Sequence, residues 1–219
     1  MATSTGLAVF GEESELKFIP DLDGRELMAV TFKDDNTIVA GERSGCIHFY
    51  DSRSAASVLR MRHRDSVAHI RTMADPELLL VNGLRRMSIY DLRNTPIPQK
   101  VQKGKQGQWT HISKSTAFLE FHIPQEMRAD RYGLGFAYSA ELGLVARASS
   151  QPTGKNKVTL YSSKTGRIID CRLTRHDFKE PVTCIDIRRV RDGPESVFIA
   201  SGGEILEWTC MGLEENVHT

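Results

Sequence analysis

Residues 66–93 read SVAHIRTMADPELLLVNGLRRMSIYDLR, from Ser66 to Arg93. Three apolar runs, Ser66 to Thr72, Glu77 to Asn82 and Arg86 to Tyr90, are separated by Ala74-Asp75-Pro76 and Asn82-Gly83. Such breakers close hairpins, so the stretch predicts three short antiparallel strands ending in Tyr90-Asp91-Leu92-Arg93. The same plan runs upstream from Leu27 to Arg53, LMAVTFKDDNTIVAGERSGCIHFYDSR, with turns at Lys33-Asp34-Asp35-Asn36 and Ser44-Gly45. That stretch ends in Tyr50-Asp51-Ser52-Arg53, and Tyr50 and Tyr90 stand 40 residues apart. Its third strand, Cys46 to Tyr50, alternates with Cys46, His48 and Tyr50 on one side and Ile47 and Phe49 on the other. Both sides are largely apolar, as a strand between two packed neighbours requires.

The pattern continues with less regularity. Leu7 to Phe10 and Leu16 to Ile19 read as the closing hairpin of a partial repeat over residues 1–20, followed by a linker at Pro20 to Gly24. Full repeats are predicted at residues 26–62 and 63–101. Residues 102–131 form a loop or insertion carrying one strand, Phe118 to Ile123. A degraded repeat follows at 132–174, with strands at Leu134 to Tyr138, Leu142 to Ala146 and Lys157 to Tyr161. The last repeat spans 175–211, with strands at Val182 to Ile187, Ser196 to Ala200 and Glu204 to Trp208. Residues 212–219 are a polar tail. Tyr161 and Trp208 hold the terminal aromatic position, but Ser162 and Thr209 follow them where Asp stands in the first two repeats.

Many short strands, regular turns and no strong helical period predict an all-β chain. A repeat near 40 residues selects a β-propeller over a sandwich. About four repeats plus a partial blade predict an incomplete propeller, with further blades N-terminal in a longer relative. The endings Tyr50-Asp51-Ser52-Arg53 and Tyr90-Asp91-Leu92-Arg93 resemble the WD-repeat family, with Tyr for its usual Trp. That resemblance also implies structural roles for His63, 28 residues before Asp91, and for His176, 32 residues before Trp208. Both lie near the place of the family's Gly-His pair. The family's His commonly bonds a turn Asp, and Asp75 is the matching candidate.

Paired endings of this kind are similar to those of the cullin-4-associated factors (DCAF), the substrate receptors of cullin-4 ubiquitin ligases. The fourth of that series and its fungal relatives resemble this chain in Ser44-Gly45-Cys46-Ile47, in His63 to Ile70 (HRDSVAHI) and in the two Tyr-Asp-x-Arg endings. The resemblance implies a non-catalytic scaffold whose Asp51, Arg53, Asp91 and Arg93 dock a ligase adaptor, with substrate proteins as further partners. Blade packing uses the aromatic and the Asp but does not require the Arg. A planar guanidinium on the rim can give a partner bidentate, charge-assisted bonds. Two alternatives stay open: the arginines bond within their own blades, or the chain is a platform in another nuclear complex, of chromatin or RNA processing.

Composition narrows the classes. The chain has 219 residues, 40% hydrophobic, and a net charge of +1. It is long enough to bury roughly 70% of its unfolded surface, and no bulk charge argues for nucleic acid or an anionic membrane. The clusters Arg188, Arg189, Arg191 and Lys100, Lys103, Lys105 lack interleaved stacking aromatics. No apolar run reaches the ~20 residues of a membrane-spanning helix. No nucleophile elbow, phosphate loop or zinc-protease motif occurs, so no enzymatic activity and no cofactor are expected. Gly133-Leu134-Gly135 is half a dinucleotide fingerprint without its helix. The four cysteines, Cys46, Cys171, Cys184 and Cys210, show no metal spacing. With no secretory signal they are expected as buried, reduced thiols of a nuclear or cytoplasmic protein acting as a monomer in a larger complex.

Overall fold

Runs of β-branched, aromatic and other apolar residues between turn residues fold as short antiparallel strands, eighteen among the described residues, with one four-residue α-helix. The structure, a computed structural model, describes residues 2–3, 6–10, 16–19, 25–53, 56–94, 116–151, 154–190 and 193–209; at 2–3, 6–10, 16–19 and 56–57 it describes the backbone alone. The predicted linker at 20–24, the lysine cluster at 100–105 and the tail at 212–219 lie outside the described residues. The chain divides into two units, residues 1–120 and 121–219.

In the first unit β1 (Ala2–Thr3), β2 (Gly6–Phe10) and β3 (Leu16–Ile19) make a three-stranded meander. A four-stranded sheet follows, in the order β4 (Leu27–Phe32), β5 (Thr37–Glu42), β6 (Cys46–Asp51) and β7 (Ala56–Arg62). The next sheet consists of β8 (His69–Thr72), β9 (Leu78–Asn82), β10 (Met87–Asp91) and β11 (Leu119–Glu120). The strand read within an insertion is thus the outer strand of this sheet, with Leu119 opposite Ile89 and Glu120 opposite Ser88. The long interval between Tyr90 and Tyr161 contains a connection between the third and fourth strands of one sheet.

Packing explains the doubly apolar strands. Ile47, Phe49 and Val39 from one face of the β4–β7 sheet join Val67, Ile70, Leu79, Val81 and Tyr90 of the following sheet in one core. The opposite face carries Ile38, Ala40, Tyr50 and Leu27. A strand covered on both faces gains from apolar residues at every position, about 25 cal/mol per Å2 of apolar surface removed from water. Gly41 marks how closely the two sheets meet, since a Cβ there would lie 2.3 Å from Val67 Cγ1.

The second unit repeats the plan. β12 (Phe136–Ser139), β13 (Leu144–Ser150), β14 (Asn156–Ser162) and β15 (Ile168–Ile169) form a four-stranded sheet. After α1 (Arg172–Arg175) come β16 (Val182–Arg189), β17 (Glu195–Ser201) and β18 (Glu204–Thr209), a three-stranded sheet. Leu144, Ala146, Val158 and Leu160 pack on Ile185, Ile187, Val197 and Ile199 in its core. Gly135 sits in this seam: its N–H donates to Val182 O at 2.9 Å, and a Cβ would lie 2.6 Å from Ile185 Cγ1 and 2.8 Å from the Cys184 carbonyl carbon. The half-fingerprint is therefore a packing glycine. Among the described residues no helix is long and apolar enough to cross a membrane.

Candidate functional site

The two Tyr-Asp-x-Arg endings fold into the same local structure. Asp51 closes β6, and its Oδ1 accepts the backbone N–H of Arg53 at 2.9 Å. The Arg53 side chain then folds back, Nε donating to Oδ1 at 3.0 Å and Nη2 to Oδ2 at 2.9 Å. Asp91 closes β10 in the same way, with Arg93 N, Nε and Nη2 at 3.0, 2.9 and 3.1 Å. An Asp two residues before an Arg holds the turn and clamps the guanidinium in one motif. The clamp leaves the Arg53 side chain 70% exposed and the Arg93 side chain 57% exposed, over carboxylates only 22% and 11% exposed. Each ion pair lifts the pKa of its Arg above the ordinary value, through the Asp hydrogen bond first, and the Arg93 bond holds Asp91 below the usual carboxylate range.

Both clamps stand on one rim of the first unit. Each meander places its first and third turns at the same end of the sheet: Ser52 N donates to Asn36 O, and Leu92 N to Glu77 O, both at 2.8 Å. The neighbouring sheets are tied together at that end. Lys33 Nζ bonds Glu77 Oε1 at 2.8 Å, and Thr72 Oγ1 donates to Phe32 O at 2.7 Å. Phe32 is an exposed aromatic on this rim. The two arginines thus do bond within their own sheets, and they also remain exposed.

The aromatic markers are structural. Tyr50, Tyr90 and Tyr161 are buried, and Trp208 packs against the core of the second unit. His63 is buried, and its Nδ1 is hydrogen-bonded to Tyr90 Oη at 2.8 Å. Burial pushes the Tyr90 phenol up to about 12 and, against the Asp65 carboxylate, pushes His63 down to about 4, so the pair stays phenol and neutral imidazole. The expected His63–Asp75 bond is corrected. Successive turns of a meander alternate ends, so Asp75, in the β8–β9 turn, lies at the opposite end of the sheet from His63. Asp75 instead accepts Glu77 N at 3.0 Å and approaches Arg93 Nη2 at 3.5 Å. Asp65, which sequence reasoning passed over, holds the β9–β10 turn through the N–H groups of Arg85 and Arg86. His176 is exposed and sets its ring against Phe178 and Trp208 at 4.7 and 5.8 Å.

A buried polar cluster at the other end of the β4–β7 sheet was also missed. Glu42 Oε1 accepts Arg25 Nη1 at 2.8 Å and lies 2.6 Å from His48 Nε2, while Ser44 Oγ donates to Oε2 at 2.5 Å. Burial pushes the Glu42 carboxyl up, and these hydrogen bonds outweigh it, bringing it down to about 2. The cysteine expectation is corrected as well. Among the three described only Cys46 is buried; Cys171, packed at the edge of the second unit's core, is half-buried, and Cys184 falls at an exposed position of β16. Of the basic cluster, Arg188 lies over the Phe198 ring and pairs with Asp186, and Arg189 pairs with Glu141. Neighbouring carboxylates thus already occupy these guanidiniums.

No protein-family model matches this sequence, and no curated protein matches it. Solved structures do. A computationally designed protein, Ika4, aligns with a TM-score of 0.54 at 13% identity, over 84% of this chain and 91% of that one. The β-propeller domain of Cps50 (Swd1) from Myceliophteria thermophila aligns with a TM-score of 0.59 at 14% identity, over 84% of this chain. The alignment spans 54% of that domain's length. Identity this low speaks for the fold alone, and it agrees with the sheet-by-sheet architecture: the chain is an all-β protein of β-propeller fold.

Proposed function

We propose that this chain is a non-catalytic WD-repeat scaffold that docks other proteins through the rim bearing Arg53 and Arg93. In its sharper form it is a substrate receptor of a cullin-4 ubiquitin ligase, acting in the nucleus or cytoplasm, with the two clamps seated on the damaged-DNA-binding adaptor. The observation that carries the reading is the repetition of one clamp, atom for atom, on adjoining sheets at one rim. With Nε and Nη2 engaged by the Asp clamp, and Arg93 Nη2 also near Asp75, each guanidinium has its Nη1 donors to offer a partner's carboxylates and carbonyls. Its orientation is fixed before binding, which lowers the entropy lost on docking. Such arginines are frequent hot spots. The Tyr-Asp-x-Arg endings support the ligase reading by their resemblance to that receptor class.

The test is co-purification of the adaptor with the wild-type chain and with the Arg53→Ala, Arg93→Ala double variant. Loss of the adaptor with an unchanged circular-dichroism melt supports the reading. Retention of the adaptor removes the rim from docking. If the wild type itself recovers no cullin-4 component but a different set of nuclear proteins, the scaffold belongs to another complex.

A further inference from the structure

The β5–β6 hairpin brings together three side chains that sequence spacing does not mark as a set. The register places Gly41 opposite Ile47 and Ala40 opposite His48. Glu42 therefore faces Cys46 across the Arg43-Ser44-Gly45 turn, and Cys46 and His48 share a face. One ligand atom from each of Glu42, Cys46 and His48 lies within 4.8 Å of the other two, and all three residues are buried. Nδ1 of His48 is buried without a hydrogen-bond partner among the described residues. This cluster stands at the end of the sheet away from the Asp51–Arg53 clamp, so it is independent of the docking rim.

We infer that Glu42, Cys46 and His48 form a zinc site. Zinc takes thiolate, imidazole and carboxylate ligands at roughly 2.0–2.3 Å, so tetrahedral ligands sit about 3.3–3.6 Å apart. Small side-chain movements bring the present cluster to that spacing. Burial and the nearby Glu42 charge push the Cys46 thiol above its usual range. On binding, the thiol loses its proton to solvent and zinc takes the thiolate. Thiolate and carboxylate then offset the two charges of the ion. The opposing cations are Arg25, bonded to Glu42, and Arg60 and Arg62 on β7, opposite His48 and Cys46. The Arg25 side chain is 37% exposed, so it can turn to water as zinc replaces it. Ser44 keeps its bond to Oε2 and orients the ligating carboxylate, as outer-sphere partners do. A water fills the fourth position, and the ion pins the β5–β6 hairpin.

The test uses the whole chain, stripped with chelator, then titrated with Co2+ alone and with Zn2+ alone. One Co2+ per chain, a thiolate-to-cobalt charge-transfer band and displacement of that band by Zn2+ are expected. Cys46→Ala removes the band, His48→Gln weakens binding at least tenfold, and the triple variant Cys171→Ser, Cys184→Ser, Cys210→Ser keeps both band and stoichiometry. Less than a tenth of an equivalent bound by the wild type overturns the inference, as does a band that disappears in the triple variant or survives in Cys46→Ala. Should Cys46→Ala fail to fold, the wild-type stoichiometry and the triple variant decide alone.

Discussion

At the residue scale the two halves of the Tyr-Asp-x-Arg ending do different work. The Tyr is buried and structural, while the Arg is exposed and held. His63 shows how far burial can shift a titration. Its folded pKa, about 4, lies below the ordinary 6.5 of an unfolded histidine, with burial as the main cause. A depressed folded pKa means that the stability is fully present above about pH 6.5 and is lost as pH falls toward 4, where the unfolded chain takes up a proton that the folded chain refuses. The loss attributable to His63 is on the order of 3 kcal/mol. Urea unfolding from pH 7 to pH 4 should show His63→Gln losing less stability across this window than the wild type; parallel curves would remove His63 as the cause.

At the element scale, the strands were legible because their ends carry turn residues. Asn82-Gly83 and Ser44-Gly45 break the chain where the hairpins reverse, and the Cys46-to-Tyr50 alternation matched two cores on two faces. Shorter and more polar pieces were not legible. β15 has two residues, too few to show a period. β13 continues past Ala146 through Arg147, Ser149 and Ser150, which are polar yet buried; Arg147 Nη1 donates to Met127 O at 2.7 Å. The outer strand β11 lies too far from β10 in sequence for local pattern to join them. Among the site residues, Asp51–Arg53 and Asp91–Arg93 were readable as repeats, but the His63 partner depended on which end of the sheet a turn occupies. Gly135 supplies a test at this scale. Gly135→Ala forces a Cβ against the backbone of Cys184 and Ile185, and a thermal or urea melt should lose about 2–4 kcal/mol. A loss under about 0.5 kcal/mol would mean that the seam between β12 and β16 is looser than described.

At the scale of the whole molecule, four-stranded and three-stranded meanders follow one another, and the first unit's outer strand arrives only after residues 95–115. Phe118 N donates to Ile89 O at 2.8 Å, so the connection begins and ends beside the same strand pair. The rim needs both neighbouring sheets, since Lys33–Glu77 and Thr72–Phe32 tie together the ends that carry the two clamps. The docking claim is therefore tested most directly by calorimetric titration of the purified adaptor into the wild-type chain and into the double variant Arg53→Ala, Arg93→Ala. The account predicts a dissociation constant raised by at least about a hundredfold, with the unfolding midpoint unchanged; an equal dissociation constant for the two proteins would contradict it.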